Sequence, residues 1–430
     1  MHLNTNGIVL LSAKITTMVF TPQTILTIIL LLVVAGFVFD TFLSWLNLRS
    51  QPDDIPDSVA AFYDREKYRK SLEYHRHRTN FSFVTSTFSF LLSVAMLYFG
   101  GFGLLDSWLR PVIDNEILLA LVFFGVLAIA SDILTLPFQL YSTFVIEEKY
   151  GFNKTTIRTF IGDKLKGYAV GAILGGGLIS LLIYLIQLIG PDFWILFSLL
   201  AAILILLINM FYTTIFLPLF NKLTPLEDGE LKTKIESFSK TVGFPLDNVF
   251  VMDGSKRSNK ANAFFSGIGR KKKIVLYDTL IANHNTDELV AVLAHEVGHY
   301  KKKHIIFGYI LSVVQVVFTL FILSLMVQSE NVSLALGGTQ SAIHLNLLAF
   351  GILFSPISGL TGLFMSMYSR RNEFEADAYA KETFSGPALA SALKKLSVDN
   401  LSDLYPHPLY VFFHYSHPPL LKRLAVIEQS

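Results

Sequence analysis

The chain has 430 residues, 52% hydrophobic and only 16% charged, with a mean hydropathy of +0.51 and a net charge of +2. Soluble domains carry about 25% charged residues, so this composition excludes a wholly water-soluble globule. The net charge itself says little, and no nucleic-acid partner is expected.

Cysteine is absent. Disulfides, thiolate metal ligands and cysteine nucleophiles are thereby excluded, and any metal must be held by histidine and carboxylate groups. The absence does not identify a compartment.

The N-terminal segment, 1–21, shows no secretory leader pattern: Lys14 is the one basic residue before the apolar run. Met18 is an alternative start, with Met1 to Thr17 as an upstream extension. Seven apolar segments then follow at about 22–47, 81–104, 116–146, 166–190, 193–218, 304–328 and 341–367, each long enough for the roughly 20 residues a bilayer crossing takes. Pro137 predicts a kink or tilt in the third, and Gly171, Gly175, Gly176 and Gly177 permit close helix packing in the fourth. The polar residues inside spans, among them Asp40, Asp132, Gln139, Gln315, His344 and Asn346, are expected to bond between helices or to lie near an interface. Glu428-Gln429-Ser430 carries no lipidation signal.

Basic residues sort by side. The segments 48–80, 147–165 with Lys166 at its edge, 219–303 and 368–430 hold 33 of the 35 Lys and Arg. The positive-inside rule places those segments in the cytoplasm and the N-terminus outside, as an odd span count requires. The expected organisation is an N-terminal segment 1–21, five spans over 22–218, a soluble part 219–303, two spans over 304–367 and a second soluble part 368–430. The fold class expected is an α-helical polytopic membrane protein with a small α+β cytoplasmic domain.

Within 219–303, Leu226 to Val242 predicts an amphipathic helix and Asn248 to Asp253 a strand. Asn262 to Ser266 and Lys273 to Tyr277 predict a hairpin around Ser266 to Gly269. A helix follows, opened by an Asn285/Glu288 capping box, and on it lies Ala294-His295-Glu296-Val297-Gly298-His299. Residues four apart share a helical face, so His295 and His299 can aim two imidazoles at one zinc ion while Glu296 serves as general base. Zinc acts there as a Lewis acid on the scissile carbonyl and on water. A sheet edge beside such a helix can take an extended peptide as an added strand.

Zinc needs a third protein ligand and an open position. The run Ser369 to Asp377 lies on the same side of the membrane and offers Glu373, with Glu375 as the second choice. Asp377, four residues past Glu373, can hydrogen-bond a ligand histidine and fix its tautomer. A donor for the tetrahedral oxyanion is sought in His417 and Tyr379, while His304, His407 and His414 are expected to be structural or exposed.

Taken together, the chain resembles the type I CAAX prenyl endopeptidases, integral membrane zinc metalloproteases. The resemblance runs through Thr143 to Thr155, Gly254 to Ser258, Asn262 to Phe265, Ile274 to Leu280, His295 to His299, Glu373 to Asp377 and Ser416 to Leu420. It departs at Lys260-Ala261, where more polar residues are expected. The resemblance implies seven spans around a water-filled chamber zincin-like in its closing domain, and one zinc per chain. It also implies Glu373 as third ligand, and Asn262 and His417 as contacts for the substrate backbone. The implied activity is removal of the last three residues from a prenylated CAAX tail. The expected partners are a peptide or protein substrate, prenylated in this reading, and the lipid bilayer. The membrane would be a bacterial inner membrane or the endoplasmic reticulum, according to source, with the site facing the cytoplasm. One alternative is a quality-control membrane metalloprotease with no prenyl requirement. Another is a transporter or channel, favoured by the polar span residues and opposed by the metal site.

Overall fold

The computed structural model describes residues 20–244, 248–266 and 273–429. Met1 to Val19, turn residues 267–269 and Ser430 lie outside the described residues.

The long helices α1 (Pro22–Arg49), α2 (Arg65–Tyr98), α3 (Glu116–Tyr141), α4 (Ile157–Ile189) and α5 (Phe193–Phe211) come first. Helical runs long and apolar enough to cross a bilayer number five among the described residues, and one of them, Ile157–Phe220, is 64 residues long. At 1.5 Å per residue it would stretch about 96 Å if straight, far more than one crossing. Gly190 breaks it, with φ of 62°, and Leu182 and Ile186 before the break share a cluster with Phe193 and Phe197 after it. The run is thus two spans, α4 and α5, packed on each other. The last expected span is also divided, into α9 (Ile343–Leu353) and α10 (Ser355–Ala380), bent by 53° where Pro356 follows the junction. With α8 (His304–Ser324), the seven apolar segments of the sequence are all helical.

Three boundaries differ from expectation. The second span is not confined to 81–104: its helix begins at Arg65, capped by Asp64 Oδ1 on Lys67 N–H at 2.8 Å, and ends at Tyr98 before Gly100, whose φ is 66°. The third runs into a π-turn, Ser142–Glu147, soon after Pro137. The amphipathic helix α6 spans Glu230–Thr241, because Leu226 N–H still bonds Val249 O at 2.9 Å and extends the neighbouring strands.

In the most apolar stretch of each of the five spanning runs at most 17% of residues are buried. A close-packed bundle would bury a face of every helix. The helices leave most of their apolar length exposed. At the end away from the sheet they are joined by a cluster of Ile29, Leu97, Phe123, Leu336 and Leu345. There Gly103 meets Gly337 so closely that a Cβ on Gly103 would lie 1.9 Å from the Gly337 carbonyl oxygen. The polar span residues find partners between and along helices. Asp132 binds Lys164 Nζ and Gln139, Gln315 donates to Thr361 Oγ1, His344 Nε2 lies 2.9 Å from Asp106 Oδ1, and Asn346 accepts from Ser333 Oγ.

At the near end a four-stranded sheet has the order β1-β2-β4-β3, with β1 (Leu223–Pro225), β2 (Asn248–Met252), β3 (Ala263–Ser266) and β4 (Lys273–Tyr277). β2 and β4 are parallel and the other pairs antiparallel. One core joins this sheet to α6, α7 (Thr286–Lys301), α11 (Gly386–Asp399) and α13 (Leu420–Ile427) through Ile235, Ile274, Leu293, Val297, Leu389 and Leu424. Residues before α8 and after α9 therefore share a single hydrophobic centre.

Candidate active site

Helix α7 opens with the expected capping box: Asn285 Oδ1 accepts from Glu288 N–H and Glu288 Oε2 from Asn285 N–H, both at 2.9 Å. Leu289, Val290, Leu293 and Val297 bury one side of the helix. The other side presents His295, Glu296 and His299. α10 crosses α7 at contact distance; a Cβ at Gly298 would lie 3.0 Å from Ala376 Cα. That close approach puts Glu373 and Asp377 of α10 against the two histidines.

His295 Nε2 and His299 Nε2 are 3.2 Å apart, and Glu373 oxygens lie 3.3 Å from His299 Nε2 and 3.5 Å from His295 Nε2. These three residues are the one set among the described residues whose His and carboxylate atoms converge on a common point as a metal would require. Zinc ligands at about 2.0–2.1 Å in a tetrahedron stand about 3.3 Å from one another, which is the spacing found. Charge agrees as well. Glu296, Glu373 and Asp377 carry three negative charges against Arg423, leaving the balance that a divalent ion neutralises. The residues present fit such an ion.

Each group around the triad has a defined partner. Asp377 Oδ1 is 2.8 Å from His295 Nδ1, so that nitrogen donates and Nε2 is left for the metal. Burial alone would lower the His295 pKa, but its bonds to Asp377 and Glu373 raise it to about 9 in the metal-free protein. Burial would raise the Glu373 pKa, but hydrogen bonds from His295 and His299 hold it below the usual carboxylate range. For Glu296 burial wins and the pKa goes up, even though the Phe265 N–H donates to it.

The triad lines a cleft of about 430 Å³ with Asn262, Ala263 and Phe264 on one wall and Leu389, Leu393 and Leu396 of α11 on the other. β3 is the edge strand on the cleft side, β1 the other edge. Asn262 C=O accepts from Tyr277 N–H, and strand residues two apart point the same way. Ala263 and Phe265 therefore turn their N–H and C=O groups to the free edge, toward the cleft, where Ala263 N–H donates to Asn262 Oδ1 at 2.9 Å and Phe265 N–H to Glu296.

His417, on the segment after α12 (Pro408–His414), brings Nε2 to 3.3 Å from Glu373 Oε1 with its ring largely exposed. Asn262 is also exposed on the cleft wall. Tyr379 belongs with neither: it packs against the protease core at Gly298. Glu375 points away from the triad to His304.

Two residues escaped the sequence reading. Arg423 is buried and bidentate on Asp377, at 2.6 and 2.8 Å, and also reaches Glu373 at 3.3 Å. Nothing in sequence spacing pairs it with residues some fifty positions away. His304, expected to be structural or exposed, is buried with Nδ1 3.0 Å from His299 Nδ1.

Known proteins resemble this chain over most of its length. Residues 44–222 match the model described as CAAX prenyl protease N-terminal, five membrane helices, and residues 225–430 match peptidase family M48. The chain is 37% identical to CAAX prenyl protease 1 homolog of Arabidopsis thaliana, over 91% of this chain and 95% of the relative. It is 34% identical to CAAX prenyl protease 1 of Saccharomyces cerevisiae, over 92% and 93%. The crystal structure of S. mikatae Ste24p superposes with a TM-score of 0.88 at 32% identity, covering 94% of this chain and 99% of that one.

Proposed function

The chain belongs to peptidase family M48, and we propose that it removes the C-terminal tripeptide from prenylated CAAX-type substrates with one zinc ion held by His295, His299 and Glu373. It is an integral, multi-pass membrane metalloendopeptidase acting on peptide or protein substrates. The observation that carries the finer reading is the place of the triad. α8 begins three residues after α7 ends, and Glu373 lies on the continuation of the last span, so the cleft opens where the spans end.

Zinc, when bound, supplies Lewis acidity to the scissile carbonyl and to water. Glu296 takes the proton from water and passes it to the leaving amine. Asp377 holds the His295 tautomer, and Arg423 offsets the charge of Asp377 and Glu373. The open edge of β3 takes the tail as an added strand, its main-chain bonds tolerating varied side chains. Asn262 and His417 flank that strand and contact its backbone; His417 supplies an oxyanion donor. We assign 219–303 and 368–430 to the protease part, and 22–218 with 304–367 to the membrane part.

A soluble metalloprotease needs a cleft, not seven spans. The spans have a use if part of the substrate is lipid-like. Each buried CH₂ contributes about 0.8 kcal/mol, so an isoprenoid chain can hold the modified Cys at the chamber while the tail reaches the metal. Purified protein should cleave a prenylated CAAX peptide just after the modified Cys, in a reaction stopped by a chelator, and should cut its unprenylated counterpart more slowly. Equal rates for the two would favour a general quality-control protease. No cleavage of either by zinc-loaded protein would reject both readings.

The distribution of Lys and Arg supports a cytoplasmic active site. The absence of native cysteine makes labelling clean. A cysteine at Lys256 should react with reagent supplied from the cytoplasm, and one at Glu330 from the opposite side. Labelling of both from one side would overturn this orientation.

A further inference from the structure

His304 follows His299 by five residues, a spacing that aligns nothing on a continuous helix. α7 ends at Lys301, and Lys303, with φ of 61°, turns the chain through the left-handed region before α8 starts at His304. That turn folds the His304 ring back against His299. The ring centroids are 5.2 Å apart and the two Nδ1 atoms 3.0 Å apart. On its other side His304 Nε2 is 3.1 Å from Glu375 Oε2, and Glu375 Oε1 accepts from Arg371 Nε at 2.9 Å.

Proton counting gives this chain a direction. A neutral imidazole has one N–H and one lone pair, and an ionised carboxylate can only accept. Glu375 therefore draws the His304 proton to Nε2. His304 Nδ1 is left as a lone pair and must accept from His299 Nδ1–H. In the metal-free protein His299 Nε2 donates to Glu373; this relay leaves that nitrogen as a lone pair once a metal takes the place of its proton. The opposite arrangement would set a bare His304 Nε2 against the carboxylate and leave a proton on His299 Nε2, where a metal belongs.

We infer that His304 and Glu375 form a positioning relay that holds His299 in its metal-binding tautomer. The inference rests on the reading of His299 as a metal ligand and gives that ligand an outer support of its own. Asp377 does the same for His295 directly. Here the carboxylate acts through a second imidazole.

The test is competition for zinc between the purified full-length protein in detergent and a chromophoric chelator. Loss of an outer-shell partner typically weakens metal binding about 10- to 100-fold, and His304→Leu should fall in that range. His304→Asn, whose amide oxygen can replace Nδ1 as acceptor, should recover most of the loss. Glu375→Leu alters the half-buried outer end of the relay and should weaken zinc binding without touching the core, so it carries the test if His304→Leu does not fold. Wild-type affinity in His304→Leu or Glu375→Leu, or a His304→Asn as weak as His304→Leu, would overturn the relay. His299→Ala separates the two levels: wild-type zinc affinity in that variant would remove the ligand reading itself, whereas silence confined to His304 and Glu375 would remove only the relay.

Discussion

Glu296→Gln should lower turnover of a CAAX peptide by about 10²- to 10⁴-fold, the usual contribution of a general base, while the protein keeps its zinc. The position of the side chain suits the proposed proton transfer and not ligation. It lies one residue from His295 but outside the converging set of His295, His299 and Glu373, and it lines the cleft under the edge strand, where Phe265 N–H donates to it. Burial raises its pKa, which brings a carboxylate closer to working pH and makes it a better proton acceptor there. The sign for pH follows. The base must be ionised, so turnover should rise as pH rises through the Glu296 pKa, with an acid limb above that of an ordinary carboxylate. Zinc content by atomic spectroscopy together with peptide turnover checks the pair of statements. A zinc-loaded variant that retains most of its rate would remove Glu296 from the chemistry.

What the sequence made legible is local or periodic. Apolar runs of spanning length mark seven helical segments, and the Asn285/Glu288 box marks the start of α7 to the residue. The four-residue spacing of His295 and His299 puts both on one face. The Arg65 start of α2 carries no apolar period, since Arg65 to Arg78 is a charged extension with helix-forming residues. Leu226 reads as helical by its apolar character, yet its N–H is taken by Val249 O. The supports of the site were hidden for another reason: they depend on chain reversals. Arg423 reaches Asp377 only because α13 packs back toward α10. His304 reaches His299 only because Lys303 adopts a left-handed conformation that its residue type does not announce. Tyr379 shares a helix with Glu373 and Asp377 but packs on the core, because the contact at Gly298 fixes which side of α10 meets α7.

Glu373→Ala should cost more zinc affinity than any outer-shell change, exceeding the roughly 10- to 100-fold range expected for His304 or Glu375, because it removes one of the three proposed ligands and the charge that would balance the ion. The same carboxylate also governs proton competition. In the metal-free protein His295 is held up to about 9 by Asp377 and Glu373 against the effect of burial. Below that pH its Nε2 carries a proton, which must leave before a metal can bind. Wild-type zinc affinity should therefore climb about tenfold per pH unit between pH 7 and 9 and flatten above. In Glu373→Ala one of the two groups that raise His295 is gone, so the climb should end at lower pH while affinity stays below wild type throughout. Chelator competition across that range, on wild type and variant, measures both effects. A pH-independent wild-type affinity would show that His295 does not hold a competing proton. Wild-type affinity in Glu373→Ala would move the third ligand elsewhere, and Glu375 is the neighbouring carboxylate to which the metal would then have to turn.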